Sequence, residues 1–233
     1  MKQKYAAMFD GAGVWLRDGT YKCDPPPEEG DARWGLSLVA YVDEPVRSAL
    51  AVELRDIGSI QVGTHFLYRP EDLHLTIRSL EGYQDFIDPK VVDSYAKQVK
   101  TVVDDIPVMA VEVHGLGCSP SGIIACGYPD SNLQVLRRRL HDLAQCHGPL
   151  AVAGADVNRI RDIANVSLGV FKEEGVTEPG LAEIIAQASD KPYGIMAVRR
   201  LSLVRYHWRA GRLDMVELKS FELGDPGGAN SHD

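Results

Sequence analysis

Leu73-His74-Leu75-Thr76-Ile77 and Ala164-Asn165-Val166-Ser167-Leu168 are the two stretches whose reading decides the fold. Side chains of an extended strand alternate between faces, so His74 and Thr76 point one way while Leu73, Leu75 and Ile77 point the other. The same alternation sets Asn165 and Ser167 against Ala164, Val166 and Leu168. Each stretch therefore offers two small polar groups on an apolar-backed strand. The imidazole of His74 exchanges a proton near neutral pH, and the amide of Asn165 does not.

Working outward, the periodicity predicts a strand over 36–42, a helix over 45–57, the His74 strand, and a helix over 89–104. The last carries an apolar stripe of Val91, Val92, Tyr95, Val99, Val102 and Val103. Strands over 107–114 and 122–127 follow, joined by a bend at Gly115-Leu116-Gly117. Pro129-Asp130-Ser131 then opens a helix with Leu133, Leu136, Leu140 and Leu143 on its core side. After the Asn165 strand come a helix over 178–189 and two long strands, 195–206 and 213–222. The expected class is α+β, with two pseudo-symmetric lobes of mostly antiparallel sheet, helices outside and a central cleft. The expected organisation is a loop-rich segment over 1–33, a bilobal domain over 34–222 and a flexible tail over 223–233.

Composition narrows the partners. A formal net charge of -8 over 233 residues argues against long nucleic acid, because phosphate neutralisation needs a basic surface. It leaves room for a small phosphorylated ligand in a locally basic pocket. Arg199, Arg200, Arg205, Arg209 and Arg212 form one basic stretch, read as a solvated hairpin. No apolar run approaches the roughly 20 residues of a membrane span, and Asp10 interrupts the N-terminal apolar stretch. These features lead to the expectation of a cytoplasmic protein with no membrane partner. Cys23, Cys118, Cys126 and Cys146 lack zinc or redox spacing and read as reduced thiols. No metal and no cofactor is expected, and the oligomeric state is left open.

A His-x-Thr strand, a spacer of about ninety residues and a second polar-marked strand resemble the 2H phosphoesterase superfamily, which includes 2′-5′ RNA ligase-like proteins and cyclic nucleotide phosphodiesterases. The resemblance spans residues 34 to 222. It rests on His74-Leu75-Thr76-Ile77, Val113-His114-Gly115-Leu116-Gly117, the helix after Pro129-Asp130, and the hairpin at Leu201-Ser202-Leu203-Val204-Arg205. It implies that His74 is a catalytic acid or base and that Thr76 and Ser167 hold phosphate oxygens. Asn165 stands where the resemblance implies a second histidine. Losing one proton-transfer group costs about 10²–10⁴-fold in rate. The chain is then a weakened enzyme, an enzyme that borrows a proton donor, or a nucleotide- or phosphate-binding module. The implied ligand is a small phosphodiester, a cyclic nucleotide or a short RNA end.

Four further residue groups bear on that cleft. Arg78 shares the strand face of His74 and Thr76, where it either reaches phosphate or forms a surface ion pair. His207, beside Tyr206 and Trp208, is the candidate substitute acid, set against an exposed hairpin position. His114 shares a face with Glu112 and reads as structural. Trp34, Tyr128, Tyr193 and Trp208 either stack a nucleobase or fill the core.

Overall fold

A computed structural model describes residues 1–60, 65–146, 160–209 and 212–224. After α1 (Lys2–Asp18), the run β1 (Trp34–Tyr41), α2 (Val46–Ile60), β3 (His74–Gly82) and α3 (Pro89–Val103) is matched by β5 (Gly122–Pro129), α4 (Ser131–Cys146), β6 (Ala164–Phe171) and α5 (Pro179–Ala188). The remaining strands are β2 (His65–Leu67), β4 (Met109–Ser119), β7 (Pro192–Val198), β8 (Arg200–Arg209) and β9 (Arg212–Glu222). They form one sheet in the order β7-β4-β5-β6-β3-β1-β8-β9, with β2 added along β6. Reversing that order exchanges β6 with β3, β5 with β1 and β4 with β8, which is the expected pseudo-twofold. Neighbouring strands pair antiparallel. The α+β class with two lobes and helices outside is therefore the observed one.

Local sequence explains the helices that back the sheet. Asp88 caps α3 by accepting from the Lys90 N–H at 2.8 Å, and Pro89 supplies a preset φ in the first turn. Val92, Tyr95, Val99, Val102 and Val103 of its stripe are buried. Asp130 accepts from the Asn132 N–H at 2.9 Å at the start of α4, whose Leu133, Leu136 and Leu140 are buried. Leu36, Leu38, Val39, Leu75, Ile77, Val166 and Leu168 supply the strands' share of the core.

Three expectations need correction. Residues 2–18 form a helix, although Gly11 and Gly13 disfavour one locally. Tertiary packing overrides that cost: Tyr5 and Leu16 are fully buried, and α1 lies against β4. The Gly115-Leu116-Gly117 bend is instead the middle of β4, which runs on to Ser119 before a tight turn at Pro120-Ser121. Gly115, at φ 84°, makes a bulge there, and a Cβ on Gly117 would lie 2.2 Å from the Phe9 ring of α1. The glycines thus serve helix packing rather than chain reversal. Finally, the strand expected over 195–206 breaks at Arg199, because β7 pairs with β4 at one end of the sheet while β8 pairs with β1.

Leu223 and Gly224, expected in the tail, still bond to the Arg199 and Ile106 carbonyls. The rest of the tail, the hairpin tip at 210–211 and the segment 147–159 lie outside the described residues. No described helix is long and apolar enough to cross a membrane.

Tyr5 ties α1 to β5 and β6. Its hydroxyl donates to the Gly127 carbonyl at 3.2 Å and accepts from the Ala164 N–H at 3.1 Å, at the start of β6. Tyr5→Phe leaves that buried N–H without a partner and is expected to cost about 1–3 kcal/mol. A lowered urea midpoint with an unchanged m-value checks this, and an unchanged midpoint contradicts it.

Candidate functional site

β3 and β6 share one backbone pair, Leu75 with Val166. Antiparallel register around that pair sets His74 opposite Ser167 and Thr76 opposite Asn165. All four side chains line a cavity of about 330 Å³ together with Ser37, Tyr68, Arg78, Ser79 and Tyr206. Trp34, Arg33, Asp24, Arg137 and Arg161 complete its charged and aromatic walls. The four motif residues are thus brought together. Arg78 also borders the cavity, but a shift in register that skips Ile77 sets it opposite Leu38 instead of on the face of His74 and Thr76, and its charge acts on Tyr95 of α3.

His74 is the most constrained of them. Its ring is 5% exposed, with Tyr68 packed edge-on at 5.7 Å. Nδ1 lies 2.7 Å from the Asp72 carbonyl oxygen, which can only accept, so Nδ1 carries the proton. Nε2 is then the lone-pair nitrogen, and the Tyr206 hydroxyl donates to it at 2.9 Å. Ser37 in turn hydrogen-bonds the Tyr206 oxygen. Burial pulls the His74 pKa down to about 4, and the nearby positive charge of Arg161 adds to the shift. Burial also holds the Tyr206 hydroxyl well above its usual range, so it stays protonated. At neutral pH the pair is an uncharged base under an uncharged donor.

Thr76, Asn165 and Ser167 are half-buried, and among the described residues their side chains have no hydrogen-bond partner. Beneath them lies Arg137 of α4, 2% exposed. Its Nη1 donates to the Arg161 and Ile163 carbonyls at 3.0 and 2.9 Å, and its Nη2 to the Thr76 carbonyl at 2.8 Å. Burial first, and Arg161 next, pushes the Arg137 pKa down to about 10. Arg161 itself donates to the Ser79 hydroxyl at 3.3 Å. At the mouth, Arg33 pairs with Asp24 at 2.9 Å and lies over the Trp34 ring, which stacks on Trp208.

Sequence alone singles out Arg78 and misses Arg33, Arg137 and Arg161, because these three come from separate segments. The cluster that the sequence does display, Arg199 to Arg212, is on or near the β8–β9 hairpin, with Arg199, Arg200, Arg209 and Arg212 exposed. His207 is not a cavity residue. It faces Asp214 across the hairpin and meets Arg205 Nη2 at 3.2 Å, so it lies apart from the described lining residues. The strand period that takes His207 away brings Tyr206 in. Tyr128 packs on Tyr5 and Tyr193 is buried, so of the four aromatic candidates Trp34 alone is among the described lining residues.

This fold recurs in solved structures. The protein TT0787 of Thermus thermophilus matches with a TM-score of 0.58 at 17% identity, over 82% of this chain and 99% of that one. The fold is shared. A protein described as a phosphoesterase gives 0.56 at 16% identity, over 82% and 98%. Escherichia coli LigT complexed with 3′-AMP gives 0.53 at 15% identity, over 82% and 97%. LigT has also been crystallised with NADP+, ATP and phosphate. No protein-family model and no curated protein sequence matches this chain.

The buried, neutral His74 has a consequence for stability. Its folded pKa of about 4 lies below the ordinary 6.5, so between those values the unfolded chain binds a proton that the folded chain refuses. Stability is therefore full above pH 6.5 and falls as pH drops towards 4, by on the order of 3 kcal/mol from this group. His74→Gln is expected to flatten that slope. Urea denaturation of both proteins across this range checks it, and identical slopes would contradict the assignment.

Proposed function

We propose that the cleft is a 2H phosphoesterase-like site that takes a small phosphate ester, a cyclic nucleotide or a short RNA end. The observation that supports this most is the register at Leu75–Val166. It brings a proton acceptor, two hydroxyls and an amide around one space walled by arginines, in a chain whose net charge is -8. Thr76 and Ser167 donate to phosphate oxygens, as does the Asn165 amide. Arg161 adds a charged donor.

For a 2′,3′-cyclic ester the chemistry runs through one base. Water attacks phosphorus and gives its proton to His74 Nε2, once the Tyr206 hydroxyl has turned away. The phosphorus–ribose oxygen bond breaks, and the leaving oxygen takes a proton from solvent while Asn165 donates a hydrogen bond to it. With one proton-transfer group in place of two, turnover is slower by about 10²–10⁴-fold than for a paired site. Two features favour a second reading, a binding module without turnover: the occupied Nε2 of His74 and the amide at Asn165.

Cleavage of 2′,3′-cyclic nucleotides by the wild type, His74→Ala and Asn165→His separates the two. Slow wild-type cleavage that His74→Ala abolishes and Asn165→His accelerates, by about 10²-fold, supports the enzyme. Cleavage by Asn165→His alone supports the binding module. No cleavage by any of the three, with no phosphate ester bound, refutes both.

A further inference from the structure

We propose that the cleft selects the dianionic phosphate monoester of a nucleotide over the monoanionic cyclic diester of the same nucleotide. This rests on the phosphate-ester reading of the site and specifies the charge state of its ligand.

The charge around the cavity is uneven. Arg33, Arg137 and Arg161 line the cavity with one carboxylate among the described lining residues, that of Asp24, while Arg78 borders it from the opposite strand face. Asp24 is engaged with Arg33, which also pairs with Asp31 at 2.5 Å. Arg137 is different in kind. It is 2% exposed, and its Nη groups donate to three backbone carbonyls. Its Nε is buried with no partner among the described residues. Carbonyl oxygens satisfy N–H groups but carry no net charge, and Asp162, the carboxylate that acts on Arg137, is shared with Lys4, so the positive charge of Arg137 is only partly compensated at the floor of the site.

Arg161 lies beside it. The Arg161 carbonyl is one of the acceptors of Arg137, and its guanidinium, hydrogen-bonded to Ser79, raises the positive potential at Arg137, His74 and Tyr206 alike. Two like charges are thus held close together in a poorly solvated wall. His74 is neutral and adds nothing to them. An anion bound over Thr76 and Ser167 meets two kinds of donor. The hydroxyls and the Asn165 amide bond to phosphoryl oxygens whatever their charge. The guanidinium pair discriminates by charge, and in a low-dielectric site each added unit counts for more than in water. A monoester carries about -1.5 to -2 at pH 7 and a diester about -1, so the wall favours the monoester.

Calorimetric titration of the full chain with 3′-AMP and with 2′,3′-cyclic AMP tests this. The wild type is expected to bind 3′-AMP about tenfold more tightly or better, a gap of about 1.4 kcal/mol. Arg161→Gln should bring the two affinities to within about threefold, whereas Thr76→Ala should weaken both by a similar factor. Arg137→Lys keeps the charge and should keep the preference, provided that its circular dichroism matches the wild type. Equal binding of the two ligands, or tighter binding of the cyclic diester, overturns the charge selection and leaves the phosphate-ester site standing. An undiminished preference in Arg161→Gln also overturns it. Binding of neither ligand overturns both.

Discussion

The single backbone pair between Leu75 and Val166 sets the terms for the rest of the molecule. Everywhere else along the sheet, neighbouring strands share several pairs, but β3 and β6 touch at one point and part. Parting strands leave carbonyls and N–H groups unpaired, and a buried backbone group without a partner is costly. Helix α4 supplies missing partners: Arg137 takes the Thr76 carbonyl on one strand and the Ile163 carbonyl just before the other. Tyr5 of α1 braces the neighbouring β5–β6 pair, taking the Ala164 N–H and the Gly127 carbonyl. The cleft is the space this separation opens, and the groups that stabilise its edges also give it charge.

That coupling explains the state of His74. A strand residue next to the one pairing point is packed from both half-sheets, so its ring is nearly closed off from solvent. Burial disfavours the imidazolium, and an arginine wall beside it disfavours it further. The Asp72 carbonyl fixes the tautomer and aims the lone pair at Tyr206. The features that make the site attractive to phosphate therefore make its histidine a poor acid and a weak base. Anion binding and proton transfer pull in opposite directions at this position.

Much of this was legible in the residues themselves. Period-two alternation in His74-Leu75-Thr76-Ile77 and Asn165-Val166-Ser167 fixes which side chains share a face, and the observed register follows that pattern. The helices with long apolar stripes, α3 and α4, start at their acidic caps. Helix α1 was not legible, because its two glycines carry a turn signal that packing against β4 overrules. Nor were the arginines: no local pattern tells that Arg33, Arg137 and Arg161 converge, since convergence is a property of topology, and the bulge that turns Arg78 off the His74 face leaves no mark in the strand's alternation. Tyr206 was overlooked for its neighbour because histidine draws attention by its pKa, while strand parity decides which of the two faces the cavity.

The pseudo-twofold also shows why the two motif positions are not equivalent. Val39 opposite Thr76 and Ile124 opposite Ser167 are counterparts. From Val39, β1 extends back to Leu36, opposite Arg205 of β8, so Tyr206 follows one position farther on and reaches His74. From Ile124, β5 extends back two residues to Gly122, where its partner Ser119 marks the Pro120-Ser121 turn. The hairpin has already closed where a counterpart of Tyr206 would stand. Asn165 accordingly remains half-buried with its amide unengaged by the described residues, while His74 is capped. A histidine at position 165 would therefore be better solvated than His74, with less desolvation to depress its pKa. The difference between the two halves lies in strand length as well as in residue type.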